Sequence, residues 1–254
     1  MSVFRNVVLL AATAGLLAGL VMAAMQISLT APLISKAEVF ETAAGHSAAG
    51  HAAQHHGAAV AANAAAGHSV QASDEQAWTP ADGLQRSAYT VLANVVTAIG
   101  FALILIVSSE LAGGLINWRD GLIWGFAGFA VFTLAPGLGL PPELPAMPVA
   151  ELAARQSWWV ASAVATASGL ALIVFARNWL LAALGVALLI APHIIGAPQP
   201  LHHGSPIPED LHHQFVVVAT VTSLLFWLVL GAAAGALRNR VMDEQRVNGR
   251  SMAV

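Results

Sequence analysis

The residues best suited to chemistry lie at 191–214, APHIIGAPQPLHHGSPIPEDLHHQ, where five imidazoles (His193, His202, His203, His212, His213) share one connection with two carboxylates, Glu209 and Asp210. Imidazole nitrogen and carboxylate oxygen are donors that borderline divalent cations accept, and three imidazoles completed by a carboxylate or water suit Co, Ni or Zn. Glu209 and His213 are spaced i, i+4, which puts them on one face of a first helical turn. His212 then points about a third of a turn away, toward His202 and His203 or toward His193. Directly after Pro192, His193 stands nearest the apolar run, where an ionisable group is costly unless it serves a site or reaches water. A second set, His46, His51, His55, His56 and His68, sits in an Ala, Gly and Ser stretch at 43–73 that carries almost no other functional side chain. That composition predicts an external low-complexity loop, disordered or partly helical on binding metal, which captures cations weakly at several points. A polar spacer that merely contains histidine, and interfacial histidines without metal, are the plainer readings of the two sets.

Other chemistries find no residues. Cysteine is absent, which removes disulfides and thiolate ligands. The sequence holds no phosphate-binding G-x-x-x-x-G-K-[ST] run and no H-E-x-x-H. A net charge of -3 with ten Lys and Arg gives no basis for nucleic-acid binding. We therefore expect no enzyme and no tightly bound cofactor, with Co2+ as a substrate and Ni2+ or Zn2+ as alternatives.

The elements that must carry these groups are membrane helices. Mean hydropathy is +0.72 and only 9% of the 254 residues are charged, against about a quarter in soluble domains. Six runs without formal charge (6–35, 87–109, 121–142, 156–176, 178–208 and 214–237) are long enough to cross a hydrocarbon core, which takes about 20 helical residues. The expected fold is an all-α integral membrane protein, a single domain over 1–254 with six transmembrane helices as three hairpins. Helix one should stop at Pro32, the connection after Ala135 should be non-helical, helix five should end near Ile190, and helix six should run from Leu211 to Leu237 before a cytoplasmic tail at 238–254. With the N terminus cytoplasmic, seven of the ten Lys and Arg lie inside and all ten histidines lie outside or at the outer boundary. This satisfies the positive-inside rule, places both termini in the cytoplasm and suggests a bacterial inner membrane. Gly15 and Gly19, and Gly231 and Gly235, are spaced for close helix approach. Within the spans Met22, Met25, Gln26, Asn94 and Thr97 are the modest polar or soft candidates for a route, with packing and a helix-to-helix hydrogen bond as the alternatives.

Three outer connections begin alike, at Thr30-Ala31-Pro32, Leu134-Ala135-Pro136 and Ile190-Ala191-Pro192. They also end alike, with Asp82, Glu151 or Asp210 before the returning helix. Acids at exposed helix N termini and prolines at helix ends account for much of this. The remaining expectation is a parallel repeat about a pseudo-threefold axis along the membrane normal.

Several longer segments resemble one family over almost the full chain: AGLLAGLV at 14–21, TAPLISKAEVFE at 30–41, WTPADGLQR at 78–86, GLIWGFAGFAVFTLAPGLGLPPELP at 121–145, RQSWW at 155–159 and APHIIGAP at 191–198. In these the chain is similar to the predicted cobalt transporter subunit family CbtA. The resemblance implies a part in cobalt uptake linked to cobalamin synthesis, and a small single-span CbtB-like partner with histidines of its own. Homo-oligomers are left open. Nickel transport, a membrane receptor that hands Co, Ni or Zn to a partner, and a structural bundle whose histidines only tune its surface are the competing readings.

Overall fold

The computed structural model describes residues 2–56, 83–201 and 204–251, with side chains for 4–43, 83–201 and 204–240. Eight α-helices follow one another: α1 (Ser2–Met25), α2 (Ala31–His56), α3 (Leu84–Leu111), α4 (Trp118–Phe129), α5 (Ala135–Gly139), α6 (Leu152–Phe175), α7 (Trp179–Ile195) and α8 (Glu209–Ser251). Two π-helical turns, Gln26–Thr30 and Ala130–Leu134, join α1 to α2 and α4 to α5 without a break. No strand occurs among the described residues. Five of the resulting rods are long and apolar enough to cross a membrane (Phe4–Ala43, Leu84–Leu111, Trp118–Gly139, Leu152–Phe175 and Glu209–Arg240), and the 17-residue α7 is the sixth apolar helix. The protein is a multi-pass membrane protein.

Of the three prolines expected to end helices, Pro32 and Pro136 are carried through by π turns. In α register a proline lacks the N–H for the carbonyl four residues back and its ring crowds that carbonyl. Widening the preceding turn to i→i+5 makes room. The N–H of Ala31 accordingly donates to Gln26 and that of Ala135 to Ala130, one residue before Pro32 and Pro136. Helix one therefore does not stop at Pro32 but continues as α2 to His56, and the start of the 43–73 segment is helix rather than loop. The same device extends the third span to Gly139. Pro192 sits inside α7, which reaches Ile195 rather than Ile190, and α8 starts at Glu209 and continues through the tail to Ser251. The 40-residue first rod would measure roughly 60 Å, about twice a hydrocarbon core, so much of α2 stands beyond the membrane.

Glycine decides which helices touch. A Cβ on Gly15 or Gly19 of α1 would come within 2.6 Å of the Cα of Ile99 or Val95 on α3. Gly121 and Gly125 of α4 lie against Gly231 and the Trp227 carbonyl of α8, and Gly169 of α6 lies against Gly185 of α7. The close pairs are thus α1 with α3, α4 with α8, and α6 with α7. Only the first couples the two arms of one outer hairpin. Small residues at such contacts let backbones approach and gain dispersion contacts that lipid cannot match.

Two apolar clusters fill the bundle. The larger joins Leu10, Ala14, Ala102, Ile106, Phe129, Phe226, Trp227 and Leu230. The smaller one, toward the histidine-bearing end, packs Leu33 and Ala37 of α2 on Leu144, Ile207 and Phe215. At the opposite end Arg238 binds both carboxylate oxygens of Glu110, at 2.7 and 2.8 Å, and donates to the Leu115 carbonyl. That contact ties α8 to the turn after α3.

Candidate functional site

The histidine-bearing end is built by three helix starts and ends. Glu151 caps α6, its carboxylate accepting from the Ala153 and Ala154 amides at 2.9 and 2.7 Å, and these two bonds hold its carboxyl below the ordinary value of 4.5. Glu209 and Asp210 occupy the exposed first turn of α8, where the helix dipole favours negative charge. At the start of α3, Gly83 is the cap and supplies no side chain. Of the three acids expected at helix starts, Glu151 accepts from first-turn amides, Asp210 lies within the first turn, and Asp82 lies outside the described residues.

Of the histidines of 191–214 the structure describes His193, His212 and His213, and these three have different surroundings. His193, half-buried in the last turn of α7, places its ring edge-on to Trp158 of α6, with centroids 6.1 Å apart. His212 turns its Nε2 to the Pro142 carbonyl at 3.3 Å, a partner far away in sequence. His213 is exposed one residue further on. Among the described residues no three His, Asp or Glu groups come close enough to hold one ion. His202, His203 and His68 lie outside the described residues. His46, His51, His55 and His56 have a described helical backbone only, in which 51 and 55 keep their i, i+4 register on α2.

Beside His212 the structure opens a cleft of about 750 Å3 between α6 and α8, floored by the second π turn. Its outer rim carries an ion pair that the sequence did not announce, Arg155 to Glu143 at 2.8 Å, with the two side chains 29% and 20% exposed. Deeper in, the wall exposes Thr133, Thr220 and Ser223 among apolar residues such as Phe132 and Trp159. Thr133 accepts a hydrogen bond from Trp227 Nε1 at 3.2 Å, and Thr220 is bonded back to the Val216 carbonyl at 2.7 Å. Next to His193, Trp158 Nε1 and Ser162 Oγ are buried with no hydrogen-bond partner.

Outside the cleft lining, the two amides singled out within the spans meet. Asn94 Nδ2 of α3 donates to Gln26 Oε1 of the first π turn at 2.7 Å. The expected helix-to-helix hydrogen bond of Asn94 is therefore present, while Met22 packs against the larger apolar cluster.

A family model described as "Probable cobalt transporter subunit (CbtA)" matches residues 4–239. The chain belongs to the CbtA family. The match spans every transmembrane rod, both π turns and the cleft, leaving outside it only the first three residues and the last 15. Neither a curated protein nor a solved structure matches this CbtA member. Its family is one of transporter subunits, and the rods, the cleft and the acidic, histidine-bearing end have to be read in that light.

Proposed function

We propose that the chain is the membrane-spanning subunit of a cobalt uptake system, with its histidine-bearing end outside the cell and both termini in the cytoplasm of a bacterial inner membrane. The observation that carries the reading is the family match over nearly all of the membrane-spanning chain. The unequal distribution of Lys and Arg supports the orientation. Histidines on α2 and around 193–213 act as separated weak ligands that raise the local cation concentration, with Glu209 and Asp210 adding negative potential. His46, His51, His55, His56 and His68 belong to the outer capture set, and His193, His202, His203, His212 and His213 to the set nearer the membrane. Nickel is the nearest alternative substrate, because the same donors accept it. No enzymatic step is assigned. The word subunit in the family description supports a partner, for which a small single-span CbtB-like chain with histidines is our reading. A link to cobalamin synthesis follows from the resemblance alone.

The second reading, a receptor that hands metal to a partner, is favoured by one observation: the histidine-bearing end is rich in donors, whereas the described spans contain no carboxylate or histidine deep in the bilayer. Purified protein in sealed liposomes separates the two. Cobalt that accumulates and is lost on permeabilisation supports the transporter; cobalt that stays bound without accumulation supports the receptor. Deleting 44–70 should weaken uptake at limiting cobalt and spare it at saturating cobalt, and replacing His193, His212 and His213 together by alanine should lower cobalt binding with that loop present.

A further inference from the structure

Between the two apolar clusters lies a layer that neither fills. On the first rod Met22 packs with the larger cluster and Leu33 with the smaller, and the π turn Gln26–Thr30 separates them. On α8 Phe215 and Val218 pack with the smaller cluster and Phe226 with the larger. Thr222 stands between them, seven residues after Phe215 and four after Val218, and so on the same face of α8. That face meets Leu33 and Ile34 on one side of the layer, and α8 also packs on the π turn itself. From the π turn itself Gln26 accepts a hydrogen bond from Asn94 of α3.

Oxygens of this layer lack donors. Pro32 has no N–H, so the position that would serve the Ile27 carbonyl in π register, or the Ser28 carbonyl in α register, is empty. Thr30 spends its hydroxyl on the Gln26 carbonyl at 2.9 Å. Thr222 is 1% exposed, yet its Oγ1 has no partner. The default for a helical threonine in an apolar setting is a bond to the carbonyl four residues back, which Thr166 and Thr220 both make. An orphaned hydroxyl in a membrane-spanning bundle costs free energy, and irregular helix backbone at this depth is tolerated where it serves a site or a cavity.

We propose that this layer is a binding site for a hard monovalent cation, Na+ by size and charge, held by neutral oxygens of Gln26, Asn94 and Thr222 together with the carbonyls of the first π turn. Oxygen donors suit hard cations, and interrupted helices present such carbonyls to coupling ions. The named ligands carry no formal charge. Because the cost of desolvating an ion rises steeply with its charge, such a set holds one positive charge far better than two. None of the three side chains titrates near neutral pH, which points to Na+ rather than H+. The site extends the transport reading by giving uptake a coupling ion, but it is defined by binding alone.

The test uses the full chain in detergent micelles and reads the thermal midpoint from intrinsic tryptophan fluorescence in NaCl, KCl and choline chloride at equal ionic strength. The expected result is a saturable rise of a few degrees in Na+ only, as a ligand of the folded state must produce. That increment should vanish in Thr222→Val and in Asn94→Leu whatever their baseline midpoints. Broadening of the 23Na resonance by wild type provides a measure that needs no variant. Equal midpoints in the three salts with no broadening, or a Na+ increment that both variants keep, overturns the proposal. An increment given by Co2+ instead, absent in both variants, overturns it in favour of a substrate site. Liposomes that accumulate cobalt with no need for Na+ would reject coupling while leaving the cobalt reading intact.

Discussion

The two ends of the bundle are stabilised in opposite ways. Toward the Arg238 end, Gly121, Gly125, Gly231 and Gly235 bring α4 and α8 to backbone contact, and Arg238 closes the turn after α3. Toward the histidine-bearing end a cleft opens between α6 and α8, two helices widen into π turns, and buried polar atoms of Trp158, Ser162 and Thr222 lack partners. Packing is most complete where nothing needs to bind. Unpaired donors and acceptors are retained at the end that the proposed function opens to an ion. Proteins keep such features at functional sites at a cost in stability that the rest of the fold offsets.

The largest effect expected from breaking this contrast is at the packed end. Gly231→Leu would drive a side chain into the Gly121 carbonyl, and we expect a loss of about 3 kcal/mol, seen as a collapse in the yield of monodisperse protein. The same substitution at Gly137, where a Cβ meets nothing, should leave the yield unchanged. A smaller loss of about 1–2 kcal/mol is expected for Arg238→Gln, which leaves the Leu115 carbonyl and Glu110 without their cation. A double-mutant cycle with Glu110→Gln measures how much of that loss belongs to the pair.

How much of this was legible in the sequence differs between the same two ends. The spans were readable because charge is excluded from them, and the contacts of Gly15, Gly19, Gly231 and Gly235 were readable because only small residues permit them. Neighbours were not: hydropathy orders the helices through the membrane, but nothing in it says that α4 lies on α8 and α6 on α7. Pro32, Pro136 and Pro192 were read as helix ends; a π turn has no residue signature, and Pro192 stands inside α7 three residues before its end. The positions of the 191–214 histidines along the chain were legible, but not the partners of the described ones, because α7 carries His193 to Trp158 and α8 carries His212 to the Pro142 carbonyl. Thr222 passed unnoticed because a threonine bonded to its own helix and one left unpaired look alike in sequence. Glu143 and Arg155 lie 12 residues apart in sequence, and only folding brings them together.

The smallest effect lies at the rim. The Glu151 carboxyl is held below 4.5 by two amides of its own helix, so its contribution to stability is fully present above that value and is lost as pH falls through the lowered folded-state value. Glu151→Gln should lower the thermal midpoint slightly at neutral pH, where that contribution is present, and the two proteins should converge as falling pH protonates the carboxyl. An identical acid profile in both proteins would mean that the cap does not form.

The central claim, a dry packed end opposed to an open end that faces the outside, is tested most directly by thiol labelling, which the absence of cysteine makes clean. Single cysteines at Thr220, Ser223, Leu230 and Ala234 follow α8 from the cleft into the packed core, where the last two are fully buried. A membrane-impermeant maleimide added outside intact cells should label the first two and neither of the others. Labelling at Leu230 and Ala234, or none at Thr220 and Ser223 when the detergent-solubilised protein reacts there, would contradict the account.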